Sequence, residues 1–162
     1  MRCATSYKIL TLEQIAVHAK ALKQKSNGKI VFTNGAFDLL HEGHVRYLER
    51  AAGYGDYLFV GINSDARIKS QKGSERPILS ENVRARIIAA FEAVDRVVIY
   101  DDLESAVRNI MPHVIIASQT TAFDPEANRY AFAKAAGIEV QLLNAQSKLH
   151  TTDIIKKMRS VG

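Results

Sequence analysis

A single cysteine in 162 residues, Cys3, excludes an intramolecular disulfide, and without a CxxC pair nothing supports a zinc knuckle. Cysteine this sparse fits a reducing compartment, read here as the cytoplasm. No apolar run reaches the roughly eighteen residues needed to cross a bilayer. The opening "MRCATSYKILTLEQ" lacks the apolar core of a signal peptide. No membrane partner is therefore expected. Two glycine signatures are missing as well. There is no GxGxxG after the first long apolar run and no GxxxxGK[ST] anywhere, which argues against a dinucleotide dehydrogenase and a P-loop nucleoside triphosphatase. Basic residues outnumber acidic ones by 22 to 17, giving a formal charge of +5 and a pI near 9.4. Such a balance favours an anionic partner. The charge is not gathered into a basic tail or an aromatic-studded patch, so the expected partner is a phosphorylated small molecule and not nucleic acid.

What is present is 47% hydrophobic, enough for one domain with a real core. The reading is a single domain over 1–162, with a leading helix and turn in 1–28 and an α/β core in 29–162. Thr11 caps the leading helix, Gln14 completes a capping box, and Leu12, Ile15, Ala19 and Leu22 form its apolar stripe. "SNGK" at 26–29 ends it. Short β-rich runs then alternate with helical patterns. The runs are "KIVFTN" (29–34), "DYLFVGIN" (56–63), "RVVIY" (96–100), "HVIIAS" (113–118) and "IEVQLL" (138–143). Helical stretches are expected near 43–54, 81–94, 102–110, 126–136 and 152–160. Runs apolar on both faces, separated by helices, imply a parallel sheet covered on both sides. Right-handed crossovers make it a doubly wound, Rossmann-like α/β domain with five strands. "KSQKGSERP" (69–77) reads as a polar, basic loop at the carboxyl end of the second run, where such sheets bind ligands.

"KIVFTNGAFDLLHEGH" runs strand, glycine turn, helix, and so places backbone N–H groups and a helix dipole where phosphates bind. Three readings of His41 and His44 stand open on residues alone. The rings pack or cap beneath a helix, they ligate a metal, or they donate to phosphate oxygens. A metal needs a third and fourth ligand, and His18, His113 and His150 lack ligand spacing. Gly43, without a Cβ, lets a ligand lie against the backbone.

At this point the pattern is familiar. "TNGAFDLLHEGHVRYLERA" resembles the first signature of the nucleotidyltransferase superfamily marked by an HxGH motif. The match is to its cytidylyltransferase-like branch, nearest to the heptose 1-phosphate adenylyltransferase domain of ADP-heptose biosynthesis. "GDYLFVGINSDARIKSQKGSERPI" resembles that branch's second strand and lysine-bearing loop, and "ENVRARIIAAFEAVDRVVIY" its arginine-bearing helix and third strand. "TTDIIKKM" resembles its closing motif, and "YKILTLEQI" the helix that leads in. Two segments depart from the pattern. His150 stands where a serine usually precedes the paired threonines, and "IIASQTT" (115–121) lacks the usual lysine, glycines and aspartate.

The resemblance implies attack of an acceptor phosphate on the α-phosphorus of a nucleoside triphosphate, with release of pyrophosphate. It implies ATP and a sugar 1-phosphate such as D-glycero-D-manno-heptose 1-phosphate. The alternatives are a cytidylyltransferase using CTP with glycerol 3-phosphate or another alcohol phosphate, and an inactive nucleotide-binding interaction module. The same resemblance makes His41, His44 and Lys72 the catalytic residues. It assigns Thr33, Asn34, Gly35, Phe37, Gly43, Thr151 and Thr152 to the nucleotide, and Lys69 and Arg84 to substrate phosphate. Mg²⁺ would bridge the triphosphate, held by phosphate and water with no metal-ligating side chain from the chain itself. Asp38 is read as tying down the turn before the helix, and Tyr130 and Phe132 as packing residues. A sheet this small with apolar helices suggests a homodimer.

Overall fold

The computed structural model describes residues 5–118, 129–143, 154–155, 157–158 and 160. A short 3-10 turn (Thr5–Lys8) leads into β1 (Ile9–Leu10) and α1 (Leu12–Ser26). There follow β2 (Ile30–Gly35), α2 (Glu42–Ala52), β3 (Tyr57–Asn63), α3 (Asp65–Lys72) and α4 (Glu81–Ala89). The order continues with β4 (Arg96–Tyr100), α5 (Leu103–Ile110), β5 (Val114–Ser118), α6 (Ala131–Ala135) and β6 (Glu139–Leu143). All strand pairs are parallel, and the sheet runs β1-β4-β3-β2-β5-β6.

The expected α/β architecture is present, with six strands instead of five. The addition is β1, a two-residue edge strand whose Ile9 and Leu10 pair with Val97 and Val98. So short a segment, lying before a strong helix signal, carries no periodicity of its own. The leading helix is capped as expected, with Gln14 N donating to Thr11 Oγ1 at 3.2 Å and Thr11 N to Gln14 Oε1 at 3.0 Å. It stops at Asn27, which takes the left-handed conformation at φ 49°.

Alternation along the central strands divides the core. Val31 of β2 and Leu58, Val60 and Ile62 of β3 face α2 and α4, where Leu48, Ala51, Ala85 and Ile88 meet them. Ile30 and Phe32 of β2, Phe59 of β3 and Tyr100 of β4 face the other way, onto Ile15 and Ala19 of α1 and Val107 and Ile110 of α5. Fully burying a side chain such as Phe32 or Phe59 contributes roughly 1.5–3 kcal/mol, so both layers are firmly held. Gly61 is where they come closest. A Cβ there would stand 2.7 Å from Phe32 Cζ and 2.9 Å from Tyr100 Cε1, so glycine lets Tyr100 lie across β3.

Another difference sits at the carboxyl end of β3. The polar stretch expected as a loop from residue 69 is helical through Lys72. Ser64 caps α3 by accepting from Arg67 N at 3.1 Å, and Glu81 accepts from Asp65 N at 2.7 Å. Gly73, at φ 90°, ends the helix. Only Ile68 of α3 is buried, so the sequence shows no apolar stripe by which to recognise it. Lys69 and Lys72 therefore ride the last turn of a helix.

Candidate functional site

Strand β2 lies between β3 and β5, where the chain's winding direction reverses. Crevices at the carboxyl ends of strands at such a reversal are the ligand sites of open α/β sheets. The loop from Gly35 to His41 opens there and delivers the N-terminus of α2.

Phe37 takes a left-handed backbone at φ 46°, uncommon for a residue with a side chain and a feature that gathers at functional sites. Its ring folds back over Gly35, where an added Cβ would lie 3.0 Å from Phe37 Cε2. It also leans on the His44 ring at a centroid distance of 5.8 Å. Phe37 is 6% exposed and belongs to the core beneath α2. Apolar burial makes it the support on which His44 rests. Gly35 serves the same end by leaving room for that ring.

The two imidazoles stand 4.1 Å apart between centroids. Gly43 N donates to His41 Nδ1 at 3.2 Å, and His41 N donates to His44 Nδ1 at 3.2 Å. An imidazole nitrogen that accepts an N–H carries no proton, so each neutral ring holds its proton on Nε2. Burial, and then the neighbouring His41, pull the His44 pKa from 6.5 down to about 4. At neutral pH His44 is an uncharged Nε2–H donor at the mouth of a helix. Of the three readings of the pair, capping is realised through Nδ1, and the proton of the neutral His44 ring sits on Nε2. Among the described residues no three of His, Cys, Asp and Glu gather as a metal site.

Asp38 is 2% exposed and binds the segment that follows α3. It accepts from Ile78 N at 2.9 and 3.0 Å, from Leu79 N at 2.9 Å and from Arg76 Nε at 2.9 Å. That carboxylate fixes residues 76–79 against the histidine loop. Lys72 lies close by and reaches solvent. Its ammonium pKa is lowered, first by desolvation and then by Arg76, with Asp38 opposing. Lys69, four residues before Gly73 on the same helix, is exposed.

Arg84, expected at substrate phosphate, is held by acceptors of the protein itself. It is fully buried and donates to Leu79 O (2.9 Å), Ala36 O, Asn63 O (2.8 Å) and Asp65 Oδ1 (2.7 Å). One guanidinium thereby holds the histidine loop, the end of β3, the start of α3 and the entrance of α4. Thr33 is held likewise. It is fully buried, its hydroxyl donating to Ile116 O at 2.9 Å and lying 2.7 Å from Tyr47 OH, so it joins β2, β5 and α2 beneath the crevice. Asn34 and Gly43 are half-buried beside the crevice. Asn34 bonds through its amide to Tyr100 OH at 2.8 Å and Tyr130 OH at 2.9 Å. Thr151, Thr152, His150 and 119–121 lie outside the described residues. Sequence reasoning left Arg67, Tyr100 and Asn63 unassigned. Their only signal was position, since each lies at or just beyond the carboxyl end of a strand.

Comparison with known proteins bears on the family and the fold. The cytidylyltransferase-like family model matches residues 32–157. "Bifunctional protein HldE" from Geotalea uraniireducens is 40% identical over 94% of this chain and 31% of its own length. The protein of the same name from Helicobacter pylori is 38% identical over 96% of this chain and 32% of its own length. The chain thus spans about a third of the length of these curated relatives. A lipopolysaccharide core biosynthesis protein from Thermoplasma volcanium is 30% identical, with a TM-score of 0.62 over 76% of this chain and 99% of that one. Pantoate-beta-alanine ligase from Francisella tularensis, at 14% identity and a TM-score of 0.65 over 93% of this chain and 76% of that one, shares the fold. No helix among the described residues is long and apolar enough to cross a membrane. The chain belongs to the cytidylyltransferase-like family of nucleotidyltransferases.

Proposed function

We propose that this chain transfers the nucleoside monophosphate of ATP to a sugar 1-phosphate, D-glycero-D-manno-heptose 1-phosphate, and releases pyrophosphate. The observation that carries the reading is the pair of imidazoles at the entrance of α2, each with Nδ1 bound to a backbone N–H. A neutral donor positioned in advance, at the positive end of a helix dipole, is what a phosphoryl group gaining charge requires.

An oxygen of the acceptor phosphate attacks the α-phosphorus. The bond from that phosphorus to the bridging α–β oxygen breaks, and pyrophosphate leaves with the electron pair. A phosphate monoester has its second pKa near 6, so at neutral pH the nucleophile arrives ionised and no general base is needed. The protein's task is to bring two anions together and stabilise the charge that moves. In this reading His44 donates from Nε2 to the reacting phosphoryl group and His41 to a neighbouring phosphate. Lys72 faces the transferring and acceptor phosphates, with Lys69 as an outer cation. Arg84 positions the loops, and Thr151 and Thr152 hold the outer phosphates at the last helix. Mg²⁺ would supply neutralising charge to the phosphates when bound, and no side chain of this chain is assigned to hold it. The reaction belongs in the cytoplasm, and the chain works as a homodimer with nucleotide and acceptor as its small-molecule partners.

The test is pyrophosphate release with ATP and with CTP across sugar and polyol phosphates, with and without Mg²⁺. Turnover is expected with ATP and the heptose 1-phosphate, and only with the metal. A clear preference for CTP overturns the adenylyl assignment and keeps the transfer mechanism. Tight nucleotide binding without turnover on any acceptor means an interaction module instead.

A further inference from the structure

The carboxyl edge of the sheet carries a second polar array, on the face opposite α2. Asn34, Asn63 and Tyr100 stand at or near the ends of β2, β3 and β4, on the side that buries Phe32, Phe59 and Val98. They form a chain of directed hydrogen bonds: Tyr130 OH donates to Asn34 Oδ1 at 2.9 Å, Asn34 Nδ2 to Tyr100 OH at 2.8 Å, and Tyr100 OH to Asn63 Oδ1. The chain is tied to the histidine loop, because the Asn63 carbonyl is one of the acceptors of Arg84 and Asn34 directly precedes Gly35.

Arg67 lies over this row. Its guanidinium sits 5.7 Å from the centroid of the Tyr100 ring, and Nη1 donates to Asp101 O at 2.8 Å. Its Nε is buried and has no hydrogen-bond partner, a condition rare enough in folded proteins to call for an explanation. Among the described residues no carboxylate forms an ion pair with Arg67. Arg67 and Lys72 diverge from the same helix: Lys72 is near Asp38 and Arg76 on the histidine side, and Arg67 is over Tyr100 on the other.

The hydrogen-bonding inventory of the row selects a ligand. Asn34 spends one lone pair and one N–H inside the row and keeps one of each, so it both donates and accepts. Burial raises the pKa of the Tyr100 and Tyr130 phenols, which remain protonated. A phosphate dianion offers acceptors only and has no use for the accepting half of such a surface. Hydroxyl groups donate and accept, and they match it. We propose that Arg67, over the buried Tyr100 ring, and the half-buried Asn34, which Tyr100 orients, recognise the hydroxyl-bearing part of the acceptor, whose phosphate lies toward Lys72 and His44. The inference rests on the nucleotidyl-transfer reading and assigns the acceptor's polyol to a side chain that reading does not use.

The test uses Arg67→Met, which keeps an unbranched stem over the ring, and Arg67→Lys, which keeps the charge and loses the planar fork. Four quantities are measured on each: KM for the heptose 1-phosphate, Kd for the Mg²⁺–nucleotide, inhibition by inorganic phosphate, and the melting temperature. Losing hydrogen bonds from a charged donor predicts a rise in acceptor KM of about tenfold or more for Arg67→Met. Nucleotide affinity and phosphate inhibition should stay unchanged, and Arg67→Lys should fall between the two. An unchanged acceptor KM in either folded variant overturns the proposal while transfer by the wild type stands. An equal loss of phosphate inhibition makes Arg67 a phosphate ligand and overturns the hydroxyl assignment. A parallel loss of nucleotide affinity and melting temperature makes it a packing residue. Absence of wild-type turnover on every phosphorylated acceptor removes the transfer reading, and this assignment falls with it.

Discussion

Arg84→Met separates a clamp from a ligand contact. The side chain is fully buried, and its removal strips a donor from Leu79 O, Ala36 O, Asn63 O and Asp65 Oδ1 together. Removing one member of a buried ion pair costs about 3–5 kcal/mol. Asp65 is 29% exposed and can rehydrate, which favours the lower end for the ion pair. The three carbonyls add to the loss, although not independently. A total of about 3–5 kcal/mol in a chain of this size lowers Tm by roughly 6–20 °C. Arg84→Lys keeps the charge but not the fork that spans four acceptors, and its loss should be intermediate. Thermal and denaturant unfolding measure the effect, with nucleotide Kd taken well below the transition. If the Arg84→Met protein melts with the wild type yet loses affinity for nucleotide or acceptor, then Arg84 contacts the ligand and the clamp reasoning is wrong.

The same geometry makes two further predictions. His44→Ala should lower kcat by about 10²–10³, as for loss of one donor to a transition-state oxyanion, with a much smaller effect on nucleotide Kd; equal losses in both, read by steady-state kinetics and titration, would mean ground-state binding. Acid stability depends on the same ring. With its folded pKa near 4 and its ordinary value 6.5, His44 contributes no penalty above pH 6.5 and an increasing one as pH falls toward 4, because protonation is easier in the unfolded chain. The full shift is worth at most about 3.5 kcal/mol, less after solvent screening of a half-buried ring. Unfolding free energies from pH 7 to pH 4 should therefore decline less for His44→Gln than for the wild type, and parallel curves would show that the ring is not held neutral.

Legibility followed burial. The five long strands and the leading helix could be read because apolar periodicity records a large energy term, seen in Val31, Val60 and Ile62 on one face and Ile30, Phe32 and Phe59 on the other. Helix α3 could not, because one buried isoleucine gives no period and its start is set by Ser64 and Glu81, residues ordinary in any loop. Strand β1 is too short to register at all. His41, His44 and Gly43 were legible as a motif, and their local geometry adds what the motif lacks, namely the nitrogen that carries the proton and the reason the ring stays neutral.

Arg84 and Thr33 show what a motif leaves out. An arginine on a helix beside a phosphate site suggests a ligand contact, since arginine suits phosphate better than any other side chain. Its five donors also suit backbone carbonyls, and in this fold three carbonyls and Asp65 converge on it. Nothing local distinguishes the two uses, because the convergence joins residues 36, 63, 65 and 79 and exists only after folding. Thr33 belongs to the same class: its hydroxyl meets Ile116 of β5 and Tyr47 of α2, which the sequence places 83 and 14 residues away. A sequence motif therefore selects the residues near the chemistry, while the division between those that touch substrate and those that hold the touching residues in place is set by long-range hydrogen bonds. In the function proposed above, Phe37, Asp38 and Arg84 are positioning residues behind His44 and Lys72, and substitutions in the two groups should differ in kind, the first lowering stability and the second lowering rate.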